Sequence, residues 1–301
     1  MKNLIILACC TMFSVVAVAQ SKILIAGSGW DKVGMIDEVG GKLEWEFPIL
    51  KGEDCNDIEL TKGGDILIAC KTSARMVRWD KSVVWEYVCK ENEEINTATE
   101  LNGKLAKDFG GKYMLAICGK PSRIVILNKK AEEISHINFE SGVDNAHGQF
   151  RQVLPTEGGK FIVPIMGKGE VVEFDHNGAV LKRVKVGGNP FSVKVSDSGE
   201  WIVSCGDGHK IVFVDPVSEK IVRTIGGDDF SGLRLLFVSE LHAKADGSMF
   251  LTNWSGHAND NSQPKLFKVD AKGAVVWKLP SMSEIANISA LYIMPSHAVK
   301  K

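Results

Sequence analysis

Neither sign of charge is in excess in this chain: 36 lysines and arginines stand against 37 aspartates and glutamates, for a formal net charge of −1. A nucleic-acid partner demands a basic surplus to neutralise phosphates, so the balance argues against one. No G-x-S-x-G elbow, P-loop, GxGxxG or HExxH motif occurs, which removes the local signatures of serine hydrolases, nucleotide-binding folds and zinc peptidases. No CxxC pair or Cys/His cluster offers a zinc site. Beyond the first twenty residues no apolar run reaches the roughly 18 residues that span a bilayer, so the mature chain is predicted to be soluble, without a membrane span. No stretch keeps a helical period. The rest is ordinary for a globular protein: 301 residues, 45% of them apolar, with 30 glycines.

The beginning stands apart. Lys2 supplies a positive start, Leu4 to Val18 form an apolar run, and Ala17-Val18-Ala19 is a small-x-small cleavage site before Gln20. This is the pattern of a secretory signal peptide over 1–19. It predicts an exported chain, periplasmic or extracellular, whose mature part is a single domain over 20–301. The alternative, a lipoprotein modified at Cys9, leaves almost no apolar stretch before the cysteine. Five cysteines follow the leader: Cys55, Cys70, Cys89, Cys118 and Cys205. Three end similar runs, LIAC at Cys70, LAIC at Cys118 and IVSC at Cys205. Matching places in different repeats keep such residues apart, and a disulfide needs Cα atoms within about 7 Å. All five are therefore expected to be free thiols.

The repeat decides the fold. A basic or acidic residue, an alternating apolar stretch and a closing Asp or Asn recur six times, ending at Asp37, Asp80, Asn128, Asp175, Asp215 and Asp270. A turn and an apolar run precede the later copies, as in GGDILIA (63–69), GGKYMLA (110–116) and GGKFIVP (158–164). A third element follows, seen most fully as Asp270, Gly273 and Trp277. Each unit holds four β-rich runs joined by turns, which is the content of a propeller blade. The strands are named a to d from the centre outward. The first unit opens at strand b, SKILIA (21–26), and the chain finishes with an unpaired run, NISALYIM (287–294). Joined, they complete one blade and remove the open sheet edges. The prediction is an all-β, closed β-propeller of six four-stranded blades, the first completed by the C-terminal strand.

The D-x-x-G-x-x-x-W ending resembles quinoprotein-like (PQQ-like) propeller repeats, and VVWEY (83–87) with NDIELTKGGDILIA (56–69) resembles arylsulfotransferase-type propellers. The likeness extends over nearly the whole mature chain at the level of repeats. It implies a propeller and brings a quinone into view as a cofactor. Those families carry a His-Asp pair where this chain has Asn56-Asp57, so the sulfotransferase nucleophile is absent if the positions correspond. Six blades also fall short of the eight of quinone-dependent alcohol dehydrogenases.

In a propeller the b-to-c loops and d-to-a linkers share one face, here the upper face, where binding loops of repeat proteins gather. The b-to-c loops bring Lys32, Arg75, Arg123, Lys210 and Lys265 to one rim, a candidate anion site. Glu53, Asp54, Glu93 and Glu94 on the linkers are placed to neutralise it. Trp30 and Trp254 lie on loops of the first and sixth units, neighbours in a closed ring, and form a candidate stacking platform. The longest loop, 253–265, adds His257, Asn259, Asp260 and Asn261. Trp45, Trp85 and Trp277 recur on strand d and read as packing. Near the channel, His147 and Arg151 with Glu240 form the candidate catalytic set, able to remove a proton beside a carboxylate. Asp57, Asn96, Asn189 and Glu240 are the oxygen ligands a calcium ion would use, although no cofactor is required by the sequence. The leading functional expectation is a binding protein, without catalysis, for a small polar ligand such as a carbohydrate or an acidic molecule, or for a protein of the cell envelope. The alternative is a propeller enzyme, of polysaccharide lyase, hydrolase or quinone-dependent dehydrogenase type, working at His147 and Arg151.

Overall fold

The computed structural model describes residues 21–294 apart from 231, 259 and 283. The leader expected over 1–19, the alternative at Cys9 and the loop residue Asn259 lie outside the described residues. Six sheets of four antiparallel strands surround one axis. Blade 2 shows the plan, with strand a at Cys55–Leu60, b at Ile66–Cys70, c at Ser73–Val77 and d at Val83–Val88. Blade 1 takes its inner strand from the far end of the chain. Ala290–Ile293 pairs with Lys22–Ala26, setting Ile23 opposite Ile293 and Ala26 opposite Ala290. The ring is closed as the repeat arithmetic predicts. The one α-helix among the described residues, Lys104–Phe109, is an insertion between strands a and b of blade 3.

The six-fold Asp series has a local cause. Each closing residue accepts backbone N–H groups of the turn that leads into strand d. Asp37 receives Val39 and Gly40, Asn128 receives Lys130 and Glu132, Asp175 receives Asn177 and Ala179, and Asp270 receives Lys272 and Ala274. Short polar side chains that fold back on their own turn are the reason Asp and Asn dominate such positions. These bonds hold the Asp37 and Asp175 carboxyls below their ordinary range, with the backbone contacts the leading cause.

The core lies between blades. Strand b is buried on both faces, so it reads as a continuous apolar run rather than an alternating one. In blade 2, Ile66, Ile68 and Cys70 face blade 1, whereas Leu67 and Ala69 face blade 3. The same division produces six apolar clusters, one for each junction. Phe139, Phe150, Phe161 and Phe174 form the aromatic centre of the junction between blades 3 and 4.

One expectation is corrected here. Cys55 and Cys70 form a disulfide. The comparison of Cys70 with Cys118 and Cys205 was between blades, and those remain apart as free thiols, together with Cys89. The partner stands within the same blade: Cys55 opens strand a directly opposite Cys70 at the end of strand b. Antiparallel neighbours of this kind bring their Cβ atoms within reach of each other.

Candidate functional site

The innermost strands surround the axis, and their upper ends are irregular. In blades 2, 3, 5 and 6 the pairing of a with b slips, between Cys55 and Asp57, Ile95 and Thr97, Pro190 and Ser192, and Val238 and Leu241. Bulges of this kind re-aim side chains. The slipped segments contain Asn56, Phe191 and Ser239, all of which line a cavity of about 350 Å³ at the upper mouth of the axis.

Two histidines and one arginine stand on its wall. His147 sits on a single 3₁₀ turn, Ala146–Gly148, capped by the Asn145 side chain. Its Nδ1 lies 3.1 Å from Glu94, which also meets Lys71 at 3.1 Å. Burial pushes the Glu94 carboxyl up, but the His147 and Lys71 contacts prevail and hold it below its ordinary value. Gln149 is buried and ties this turn down. It accepts from the Gly119 N–H and the Ser122 hydroxyl, and it donates to the carbonyls of Gly119 and Val143. Arg151 donates to the carbonyls of His147 and Phe150 and approaches the His147 ring.

Across the mouth, His257 stands on another 3₁₀ turn, Gly256–Ala258, with Nδ1 2.9 Å from Asp207. Asp207 in turn accepts from Asn189 at 2.6 Å. The His257 ring meets Trp254 and Phe237 edge to face, and those two rings meet each other in the same way. Trp254 Nε1 donates to Ser28, spanning the junction of blades 6 and 1.

Buried polar pairs surround the axis here, Asn56 with Asn96 between blades 2 and 3, and Ser192 with Ser204 and Ser239 with Thr252 between strands a and b of blades 5 and 6. Beneath them a second, lower cavity of about 650 Å³ holds Asp57, Glu59, Lys194, Glu240 and His242. Lys194 meets Glu240 at 3.1 Å, and Glu240 also accepts the Leu291 N–H. Burial pushes Glu59 up to about 7 against its bonds from Thr99 and the Glu100 N–H. Burial, then the negative charge of Glu240, raises Asp57. Burial and the nearby Lys194 lower His242 to about 4.

A family model described as Mal s 1 allergenic protein-like matches residues 29–274. The chain belongs to that family. A Bacteroides caccae protein of unknown function is 34% identical, with a TM-score of 0.83 over 90% of this chain and 98% of that one. Two more distant structures share the fold. A protein of unknown function from Desulfotomaculum acetoxidans has 13% identity and a TM-score of 0.58, over 91% of this chain and 85% of its own. Virginiamycin B lyase from Staphylococcus aureus has 11% identity and a TM-score of 0.60, over 93% and 94%. No curated protein matches the sequence.

The site of this Mal s 1-like propeller gathers part of the sequence-derived set. His147, Arg151, Trp254 and His257 share the upper cavity. Trp30 does not join Trp254: it is 6% exposed, inside the apolar junction of blades 6 and 1 with Phe250 and Leu279. Glu240 does not join His147 and Arg151 either, because it lies in the lower cavity on Lys194; the carboxylate on His147 is Glu94. The proposed calcium ligands are divided. Asp57 and Glu240 line the lower cavity, Asn189 lines the upper one, and Asn96 is engaged by Asn56.

The basic rim stands at strand c, two strands away from the axis, and is largely neutralised. Lys32 meets Glu46 at 2.7 Å, Arg75 meets Glu86 at 2.6 Å, and Arg123 meets Glu93 at 2.8 Å. Lys265 donates to the Ile285 carbonyl. Lys210 is half-buried, with no carboxylate within 4.0 Å among the described residues. Phe191, Phe237 and Asp207 were not singled out by the sequence, since nothing in a strand start or a short loop distinguishes an axial side chain from a packed one.

Proposed function

We propose that this exported propeller binds a small polar ligand at the upper axial mouth. One observation carries the reading: a concave space is lined by Phe191, Phe237 and Trp254 on one side and by Arg151, His147 and His257 as polar groups. An apolar wall with few convergent polar groups is the usual composition of a ligand site. Carbohydrates and acidic molecules suit it, the first by stacking and the second by charge. A screen of sugars, uronates, aromatic acids and quinones by thermal shift tests it. Trp254→Ala should weaken each hit by about 5- to 30-fold, as loss of a hot-spot aromatic does. Unchanged affinity in that variant for every hit would place the ligand elsewhere.

Export is part of the proposal. A disulfide within blade 2 suits an oxidising compartment, and the intact mass of the secreted chain should correspond to a start at Gln20 or Ser21. The likeness to quinoprotein-like and arylsulfotransferase-type repeats is read as one of blade architecture, with quinone included in the screen for that reason.

A second reading, an enzyme, is favoured by one feature. His257 has Nδ1 on Asp207 and no partner at Nε2 among the described residues, which is how a general base is oriented. The lyase that shares the fold is itself inactivated by replacing a histidine with alanine. Loss of a measured turnover in both His257→Ala and His147→Ala would establish catalysis here. Turnover that survives both would dismiss it.

A further inference from the structure

We infer that the ligand of the upper cavity carries a single carboxylate and that Arg151 is its counter-ion; the inference rests on the reading of that cavity as a binding site. Two arginines are buried among the described residues, Arg123 and Arg151. Arg123 is neutralised by Glu93 at 2.8 Å and Glu133 at 3.9 Å. Arg151 is 5% exposed and has no carboxylate within 4.0 Å among the described residues. A buried cation is costly unless it is paired, and a guanidinium does not escape the cost by losing its proton.

What Arg151 has instead are neutral acceptors. One terminal nitrogen donates to the carbonyls of His147 and Phe150, and the other approaches the His147 ring at 3.1 Å. Nε–H has no acceptor among the described residues, and the second terminal nitrogen has a hydrogen to spare. Side-by-side donors on Nε and a terminal nitrogen are the fork that receives a carboxylate through two parallel bonds.

The surrounding charges set the ligand's valence. Glu94 is occupied by Lys71 and His147, and Asp207 by His257 and Asn189. Asp54 lies on the same wall as Arg151. Arg151 offers one positive charge to the cavity, and Asp54 and Glu94 beside it would repel the second negative charge of a dianion such as a phosphate monoester. The aromatic side formed by Phe191, Phe237 and Trp254 suits a flat body attached to that carboxylate.

Three probes of one shape decide the matter on the wild-type protein: indole-3-acetate, indole-3-acetamide and tryptamine, titrated by calorimetry. The acid should bind at least about 10-fold more tightly than the amide, the usual margin for a charge-assisted pair. Tryptamine should bind no better than the amide. Arg151→Gln should remove the preference for the acid over the amide, while Arg151→Lys should retain part of it. Because the probe comparison needs no variant, failure of Arg151→Gln to fold leaves it intact. Equal affinity for acid and amide, or preference for the amine, overturns the carboxylate inference and leaves the cavity as a binding site. If neither these probes nor any member of the wider screen binds, the binding reading itself falls.

Discussion

A methyl group on Gly256 would stand 1.7 Å from Trp254 Cζ3, because the indole folds back over the turn that carries His257. Gly256→Ala is therefore expected to expel the indole and break its bond to Ser28. Tryptophan emission should shift to the red, and Trp254-dependent ligands should lose affinity, with the fold retained. Unaltered emission and binding would mean that the turn yields instead of the ring. In the lower cavity, burial carries the titration of Glu59 to neutrality. Its carboxyl is pushed up to about 7 by burial, above the 4.5 it has in the open. Between those values the folded chain holds a proton that the unfolded chain has released. Stability from this group is thus present below about 4.5 and is lost as pH rises to about 7. Glu59→Gln should flatten that decline and leave the variant more stable than wild type above neutrality. A thermal-denaturation series against pH checks the sign.

Turns and strand pairs are where the repeat acquires its chemistry. Asn128 performs in blade 3 the work that Asp performs in the other blades, accepting the Lys130 and Glu132 N–H groups. Asn128 also donates to the Glu132 carboxylate through its amide, so Asn128→Asp, which keeps the turn bonds but faces a second carboxylate, should be destabilised less than Asn128→Ala, which should cost about 0.5–1.5 kcal/mol, the net worth of such a bond. Denaturant unfolding of the pair distinguishes the two. Within blade 2 the disulfide links the first two strands. Thiol titration of the denatured, unreduced mature chain should find three thiols, Cys89, Cys118 and Cys205, and reduction should raise the count to five. An initial count of five would exclude the bond.

The whole molecule depends on one seam. Ala290–Ile293 is strand a of blade 1, and it brings the chain's end against its beginning. Its Leu291 N–H also donates to Glu240 of blade 6, so the seam ties blade 1 to blade 6 as well. Deleting 286–301 should open the ring and expose the inner edge of Lys22–Ala26, lowering and broadening the thermal transition and promoting association. A sharp, monomeric transition at the wild-type temperature would show that the closure contributes little. The upper mouth depends on the same junction, since Trp254 of blade 6 donates to Ser28 of blade 1.

The architecture was legible because its determinants are local and repeated six times. The closing Asp or Asn of strand c, the glycine turn before strand b and the doubly buried b strand each follow from backbone geometry within a few residues. The missing first strand a and the surplus last one were legible for the same reason. The site was legible only in part. Loop membership correctly assigned Trp254 and His257 to the upper face, and nearness to strand a did so for His147 and Arg151. Loop membership could not separate Trp30, turned into a junction, from Trp254, turned to the axis, because both follow a strand b and differ in what the neighbouring blade presents. Nor could it tell that Arg123 and Arg151, alike in sequence, differ in pairing. The partners of Arg123 lie 30 and 10 residues away along the chain, and such ion pairs exist only once the strands of blade 3 are laid side by side. The strands of this propeller are decided by residues close in sequence. Its disulfide is decided by the pairing of strand a with strand b inside one blade, and the setting of Arg151 and the axial cavity by which strand ends the closed ring sets side by side.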